Sequence, residues 1–453
     1  MVDKDLSLER SIRVSPGKSS LVVMGMAGVG TTTPNTVDSK KEVSVLLDGK
    51  KINVETAYWG EDNKLPHTIS ADVKGVTVTA SGLRKKAKIH YGQGLVIVRS
   101  DDDGKLTEIK EGPAFEFLKK NRINKKLLAH ITDMEWFQIA FPEYILNNDF
   151  SEIVKLNTPS APYFRISLQE EDLDENGFKY FRSKYVVFSK QWANDKVDEE
   201  TSEAIHLIDP EWSAEYVKEY CRKNKILKFV RPVMLYMPET DYYPEPYWYS
   251  AISSGWVDIA KLIPKVKKAI IQNSMTLKYI IKIPHNYFLL KYPDLGPKER
   301  DAAREADFLV LDEYLADYEK TGGSLHTYYD VDKHSGREYG AWQIEVIDNK
   351  IKDGVLNLDS ANANSEILFA IGIDPTLIGS GMPGNTMGAK SGSDKREAFN
   401  IAVADSAVDR VFTSEFIEFT AEFNGWDTTN EYKYKNTILA TTDKQPTGIE
   451  KKI

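Results

Sequence analysis

The segment 360–399, SANANSEILFAIGIDPTLIGSGMPGNTMGAKSGSDKREAF, constrains the chain most, because it dictates two helices held apart by a stretch that cannot be helical. Ile367, Leu368 and Ile371 form an apolar stripe at helical spacing. The phrase Gly372-Ile373-Asp374-Pro375 ends that helix. Pro375 has no amide hydrogen, and its ring disfavours helical backbone at the residue before it. Five glycines follow, Gly379, Gly381, Gly384, Gly388 and Gly392, and Ser393 is then a candidate N-cap. The spacing predicts a helix, a glycine-rich connection and a second long helix.

This unit resembles the tunnel-loop region of tailed-phage portal proteins. In that family a stem helix ends in a Gly/Pro phrase, and a Gly/Asn/Thr/Ser loop leads into a long wing helix. Here the matching phrase is Ile371-Gly372-Ile373-Asp374-Pro375-Thr376-Leu377-Ile378-Gly379, with Ser391-Gly392-Ser393 before the second helix. Two earlier phrases, Trp59-Gly60-Glu61-Asp62-Asn63-Lys64-Leu65-Pro66 and Tyr91-Gly92-Gln93-Gly94-Leu95, resemble the N-terminal wing of portals from Bacteroidetes-type phages.

The resemblance implies an α+β portal fold: a mixed α/β wing, two long stem helices, a small α/β clip, a tunnel loop and a long C-terminal wing helix. It divides the chain into an N-terminal segment and hairpin (1–54), wing (55–246), first stem helix (247–279), clip (280–347) and second stem helix (348–373). Tunnel loop (374–392), wing helix (393–428) and a short crown or tail (429–453) complete it. The implied function is a ring, expected to be dodecameric, at the unique capsid vertex. Double-stranded DNA would be packaged, retained and ejected through it without sequence readout. The implied partners are further copies of the chain, the major capsid protein, a terminase that supplies the ATPase chemistry, and a head–tail adaptor. The implied location is the virion, after synthesis in the bacterial cytoplasm.

Composition agrees with a structural role. One cysteine, Cys221, excludes an intrachain disulfide and Cys-rich metal sites. No apolar run approaches the ~20 residues of a membrane span, so no membrane partner is expected. The first residues, MVDKDLSLERS, carry no hydrophobic signal core. Net charge −9 argues against a surface that grips nucleic acid throughout, but suits a channel through which DNA must slide. No catalytic constellation, cofactor or metal site is expected. The residues expected at the DNA channel are Ile378, Gly379, Met382, Gly384, Asn385, Thr386, Met387 and Lys390 in the loop, with Lys261, Lys265 and Lys268 as a basic face of the first stem helix.

Four motifs compete with that reading. Gly25 to Thr32 almost spells a phosphate-binding loop, but Thr31 stands where the decisive lysine belongs and Pro34 opposes the helix that would cradle phosphate. An NTP-binding enzyme built on it is the main alternative, and a monomeric phage structural or adhesion module is a third. Asp172 to Gly177 matches half of a calcium loop; Lys179 and Ser183 break the second half, so an acidic hairpin turn is expected. Asp330 to Gly336, with Lys333 inside it, reads as a hairpin tip. His90, with no acid or cysteine at local ligand spacing, reads as a packed helix-end residue.

Elsewhere periodicity predicts a hairpin around Asp48-Gly49, helices within 113–146, a helix near Trp212 to Arg222, a long helix to about Lys278 kinked or interrupted at Pro264, strand character over Ile280–Leu290 and an acidic helix over 298–320. The apolar stripe of the last helix is expected to run through Phe399, Val403, Ala407, Phe412, Phe416 and Phe419.

Overall fold

The computed structural model describes residues 39–100, 105–173, 177, 179–235, 237–238, 240, 242–274, 279–283, 287–316, 353–378 and 392–437, with short strands at 14–15, 18–19, 30–31, 330–331, 338–339 and 343–346. The chain divides into two compact units, 1–261 with 357–453, and 262–356.

The first unit is α+β. Its hairpin pairs Lys40–Leu47 with Lys50–Ala57 around Asp48 (φ 48°) and Gly49 (φ 79°). Positive φ at both central residues gives the turn whose twist matches that of the strands. The hairpin joins a mixed sheet ordered Ile153–Asn157, Glu143–Leu146, Lys228–Val230, Ser202–Leu207, Tyr185–Ser189, Phe164–Ile166. Ser202–Leu207 is the hub: it pairs parallel with Lys228–Val230 and with the hairpin, and antiparallel with Tyr185–Ser189.

Two helices, Leu65–Gly75 and Thr77–Tyr91, open the helical layer. The Trp59-to-Pro66 phrase has a physical basis. Asn63, at φ 61°, accepts a hydrogen bond from the Trp59 amide at 3.0 Å. Its Oδ1 also accepts from Arg165 Nε at 2.5 Å. Arg165 is fully buried, with its guanidinium carbon 5.5 Å from the Trp59 ring and 5.0 Å from the Trp192 ring. Its other donors reach the carbonyls of Asn63, Pro162 and Phe164. Backbone oxygens and an amide thus replace the carboxylate a buried guanidinium would normally need, and burial lowers its pKa to about 10.

Helices Pro113–Lys120 and Ile123–Phe137 follow. The second ends at Gln138, in left-handed conformation, and Leu128 on it faces solvent. Ala214–Asn224 is capped by Ser213, whose side chain accepts from the Tyr216 amide. The helix Trp256–Ser274 runs through Pro264 without a break. Val257 and Ile263 are buried along it, while Ile259 and Val266 are exposed.

In the second unit, Tyr279–Lys282 pairs antiparallel with Gln343–Val346. The strand expected to reach Leu290 gives way to a helix at Tyr287–Lys291, and the acidic helix spans Pro297–Ala316. Lys291 and Tyr292 both hydrogen-bond Asp307, which fixes the two helices together.

The chain returns through Asp353–Ile371 and the 32-residue helix Gly392–Phe423 to a strand, Asn430–Tyr434. At 1.5 Å per residue the longer helix spans about 48 Å. Of its expected stripe, Phe416 and Phe419 are buried and Phe399, Val403 and Phe412 are half-buried against the core, whereas Ala407 is exposed; Ala398, Ser406, Thr413, Ile417, Thr420 and Phe423 are buried as well. Asn430–Tyr434, within the span expected as a crown or tail, joins a sheet of the first unit. It pairs antiparallel with Leu95–Ser100, itself paired with Leu106–Ile109. Asp172 lies in a hairpin, Gln169–Leu173 against Lys179–Ser183, and is ion-paired with Arg182 at 2.6 Å.

Candidate channel segment and a buried charged network

The helix ending at Ile371 stops by the chemistry its sequence dictates. Gly372 takes φ 75°, its amide bonds Phe369 O at 3.0 Å, and the Ile373 amide bonds Leu368 O at 3.1 Å. These bonds occupy carbonyls the helix end leaves open. Asp374 Oδ1 then accepts from the Thr376 amide at 2.7 Å, capping a single turn, Pro375–Leu377. Gly82 lies directly opposite: an added Cβ there would stand 2.9 Å from Ile371 Cδ1 and 3.2 Å from Leu368 Cδ2. The close approach seats the end of this helix on Thr77–Tyr91.

Of the expected channel residues, Ile378 is half-buried and packs, with Leu377, against the core. Gly379, Met382, Gly384, Asn385, Thr386, Met387 and Lys390 lie outside the described residues. The three stem lysines are not equivalent. Lys261 is ion-paired with Asp72 at 2.7 Å and Asp258 at 3.1 Å, whereas Lys265 and Lys268 are exposed and fall in the second unit.

His90 has the acidic partner that its local sequence lacks. Its Nδ1 lies 2.8 Å from Glu135 Oε1 and its Nε2 2.8 Å from Thr413 Oγ1. Lys86 Nζ sits 3.1 Å from the other Glu135 oxygen. Tyr434 donates to Thr413 Oγ1 at 2.7 Å, and Arg410 donates to the carbonyls of Ile89 and His90, both at 3.0 Å. Burial would raise the Glu135 carboxyl, but the His90 hydrogen bond and the Lys86 ammonium outweigh it and hold the group below the ordinary range. Asp409 is pushed up by burial and by the Glu135 charge.

Ligand atoms of His90, Glu135 and Asp409 lie within 4.8 Å of one another, a spacing that could hold a metal ion. The donor set does not fit one. Both imidazole nitrogens are engaged, and Lys86 supplies the positive charge a cation would bring. The arrangement instead ties four elements together: Thr77–Tyr91, Ile123–Phe137, the long helix and the strand Asn430–Tyr434. The one local signal for it is an acid at a core position, since Glu135 stands one turn after the buried Ile131.

Gly30 and Thr31, the residues that would open a phosphate-cradling helix, are extended and pair with Arg182 and Phe181. That geometry does not suit a phosphate-binding loop.

No known family model matches the sequence, and no curated protein matches it. Solved structures do. A chain in the neck of an empty gene transfer agent (GTA) particle, computed with C6 symmetry, matches with TM-score 0.55 at 12% identity, covering 84% of this chain and 86% of the other. A chain in the virion of the native GTA particle matches with TM-score 0.54 at 12% identity, over 84% and 85%. The neck of the native particle, computed with C12 symmetry, gives TM-score 0.52 at 13% identity, over 84% and 85%. This chain shares the fold of a particle-neck chain. Among the described residues, no helix is long and apolar enough to cross a membrane.

Proposed function

We propose that this chain is a portal-type subunit of a phage-like particle, a head–tail connector component whose copies close into a ring around a DNA channel. The observation that carries the reading is the likeness, over 84% of the chain, to a chain of a particle neck computed with sixfold and twelvefold symmetry. The sequence resemblance supports it independently.

In this reading the ring sits at one capsid vertex, numbers about twelve subunits, and docks the capsid protein, a terminase and a tail adaptor. The segment from Gly379 to Lys390 is the part of the chain that meets DNA in this reading, with Ile378, packed against the core, at its start. Short side chains there touch the DNA backbone without reading bases. Lys265 and Lys268 provide weak phosphate attraction, while Lys261 is neutralised by its aspartates. The chain itself carries no enzymatic activity, and translocation is driven by the partner ATPase.

A cyclic ring needs two different contact surfaces per subunit. The long helix supplies one candidate: Ile401 (61% exposed), Ala404, Val408 (65%) and Val411 (66%). Their spacing of three, four and three is that of a helix–helix seam.

The test is mass photometry with negative-stain microscopy of the purified chain, alone and with capsid-assembly partners. Rings of roughly a dozen subunits with an axial hole are expected. A chain that stays monomeric with partners present would overturn the reading. Deleting residues 381–390 should leave rings intact and abolish packaging; packaging that survives the deletion removes the channel role from the segment.

A further inference from the structure

We propose that a basic-rimmed apolar groove in the first unit is a docking site for an acidic, amphipathic peptide segment of a partner protein. The inference rests on the groove itself and not on ring formation.

The groove lies between the strand pair Leu95–Ser100/Leu106–Ile109 and the helices Pro113–Lys120 and Ile123–Phe137, with a volume of about 410 Å³. That is within the range of pockets that bury a bound group. Its floor is apolar, formed by Leu95, Ile97, Ile109, Phe115, Leu118 and Ile123. Its rim is cationic: Lys119, Arg122 and Lys125, all exposed. Lys120 is exposed beside them. Lys126 is half-buried and donates to Leu156 O, and burial together with the neighbouring Lys155 lowers its pKa. None of Lys119, Lys120, Arg122, Lys125 and Lys155 has an ion-pair partner among the described residues, on a chain whose net charge is −9. Glu108, the one acid in the lining, is occupied by Lys110 at 3.7 Å and Lys435 at 3.2 Å.

The geometry is built, not incidental. Arg122 takes a left-handed conformation (φ 51°) in the two-residue turn that brings Lys119 and Lys125 to one rim. Asn121 holds that turn with bonds to Phe117 O, Val154 O and the Leu156 amide. Asn124 Oδ1 accepts from the Leu95 amide at 3.1 Å, fixing the groove's opposite wall. A like-charged rim kept together over an open apolar floor calls for an occupant with both properties reversed: carboxylates for the rim and an apolar side chain for the floor. A nucleic-acid backbone would satisfy the rim and leave the floor empty, so a peptide fits better.

The test uses the full chain and a fluorescent 15-residue synthetic peptide alternating Asp/Glu with Leu/Phe, read by anisotropy at two salt concentrations. Two competitors are the same peptide with every Leu and Phe replaced by Ser, and a 20-base-pair DNA duplex. Binding in the micromolar range is expected, at least tenfold weaker for the Ser peptide and at least tenfold weaker for Lys119→Glu/Lys125→Glu, whose exposed positions leave folding unchanged by circular dichroism. Absence of binding overturns the proposal. So does equal binding of the Ser peptide, which would make the surface merely electrostatic, or full competition by the duplex, which would make it a nucleic-acid surface. A wild-type chain whose self-association is lost in the double variant would reassign the groove to a second copy of this chain.

Discussion

Thr413 Oγ1 stands 2.8 Å from His90 Nε2, joining two helices through residues 323 positions apart. The hydroxyl also accepts from Tyr434 at 2.7 Å, so one threonine holds a helix end and the strand Asn430–Tyr434. Thr413→Val keeps the shape and removes both bonds. It is expected to cost about 1–3 kcal/mol, because two buried polar groups lose their partner. Tyr434→Phe should cost less, and the two changes together less than their sum. Denaturant unfolding of the four-member cycle measures this; strict additivity would mean that the threonine does not couple the two sides.

Gly82 gives a packing prediction with a size threshold. The atoms an added Cβ would meet are side-chain ends of Ile371 and Leu368. Ala at 82 gains helix propensity of about 1 kcal/mol and asks for a small shift, so it should be near neutral. Val should destabilise by roughly 1–3 kcal/mol, since a branched side chain overpacks the contact. Thermal melts of both variants decide it, and a Val variant as stable as the parent would contradict the close approach.

Asp133 gives a pH prediction. It is buried beneath Ser160 and Ala161, and burial pushes its pKa up to about 7 from 3.8, against the bonds it accepts from those two residues. The folded value exceeds the unfolded one. Its contribution is therefore fully present below pH ~4 and is lost as pH rises through ~7. Asp133→Asn should remove that dependence, by a few kcal/mol at most. Stability of the variant relative to the parent should rise between pH 4 and 8, and a constant difference would count against the shift.

Arg165 tests the stacked cation. Lysine cannot reproduce a planar fork between Trp59 and Trp192 with donors aimed at three carbonyls and Asn63. Arg165→Lys should lower stability by on the order of 3 kcal/mol, read by chemical denaturation with tryptophan fluorescence. An unchanged midpoint would show that charge alone matters there.

The seam on the long helix predicts a separation of assembly from folding. Val408→Asp/Val411→Asp places charges on two exposed positions. Melting temperature should hold while rings are lost in mass photometry. Rings that persist would move the subunit contact elsewhere.

Local chemistry was legible in the sequence; distant pairing was not. The Asp48-Gly49 turn and the stop at Gly372 to Pro375 each follow from backbone preferences of a few adjacent residues, and the structure has them. The helical Tyr287–Lys291 differs from the sequence expectation, because propensity is a weak prior that tertiary context overrides. His90 illustrates the larger gap. Nothing within ten residues of it indicates Glu135, 45 positions on, or Thr413. The periodicity of Ile123–Phe137 marks a buried face but not which acid on it will meet an imidazole.

The strand Asn430–Tyr434 has a consequence for biosynthesis. Arg99 and Asn430, joined at 2.9 Å, lie 331 positions apart in the chain. At a synthesis rate of about 5–20 residues per second, strand Leu95–Ser100 waits tens of seconds for its neighbour. Its unpaired edge must be shielded during that interval. The sheet that holds it is completed only when Asn430–Tyr434 has been made. A nascent chain would thus keep this sheet unfinished until Asn430–Tyr434 has left the ribosome.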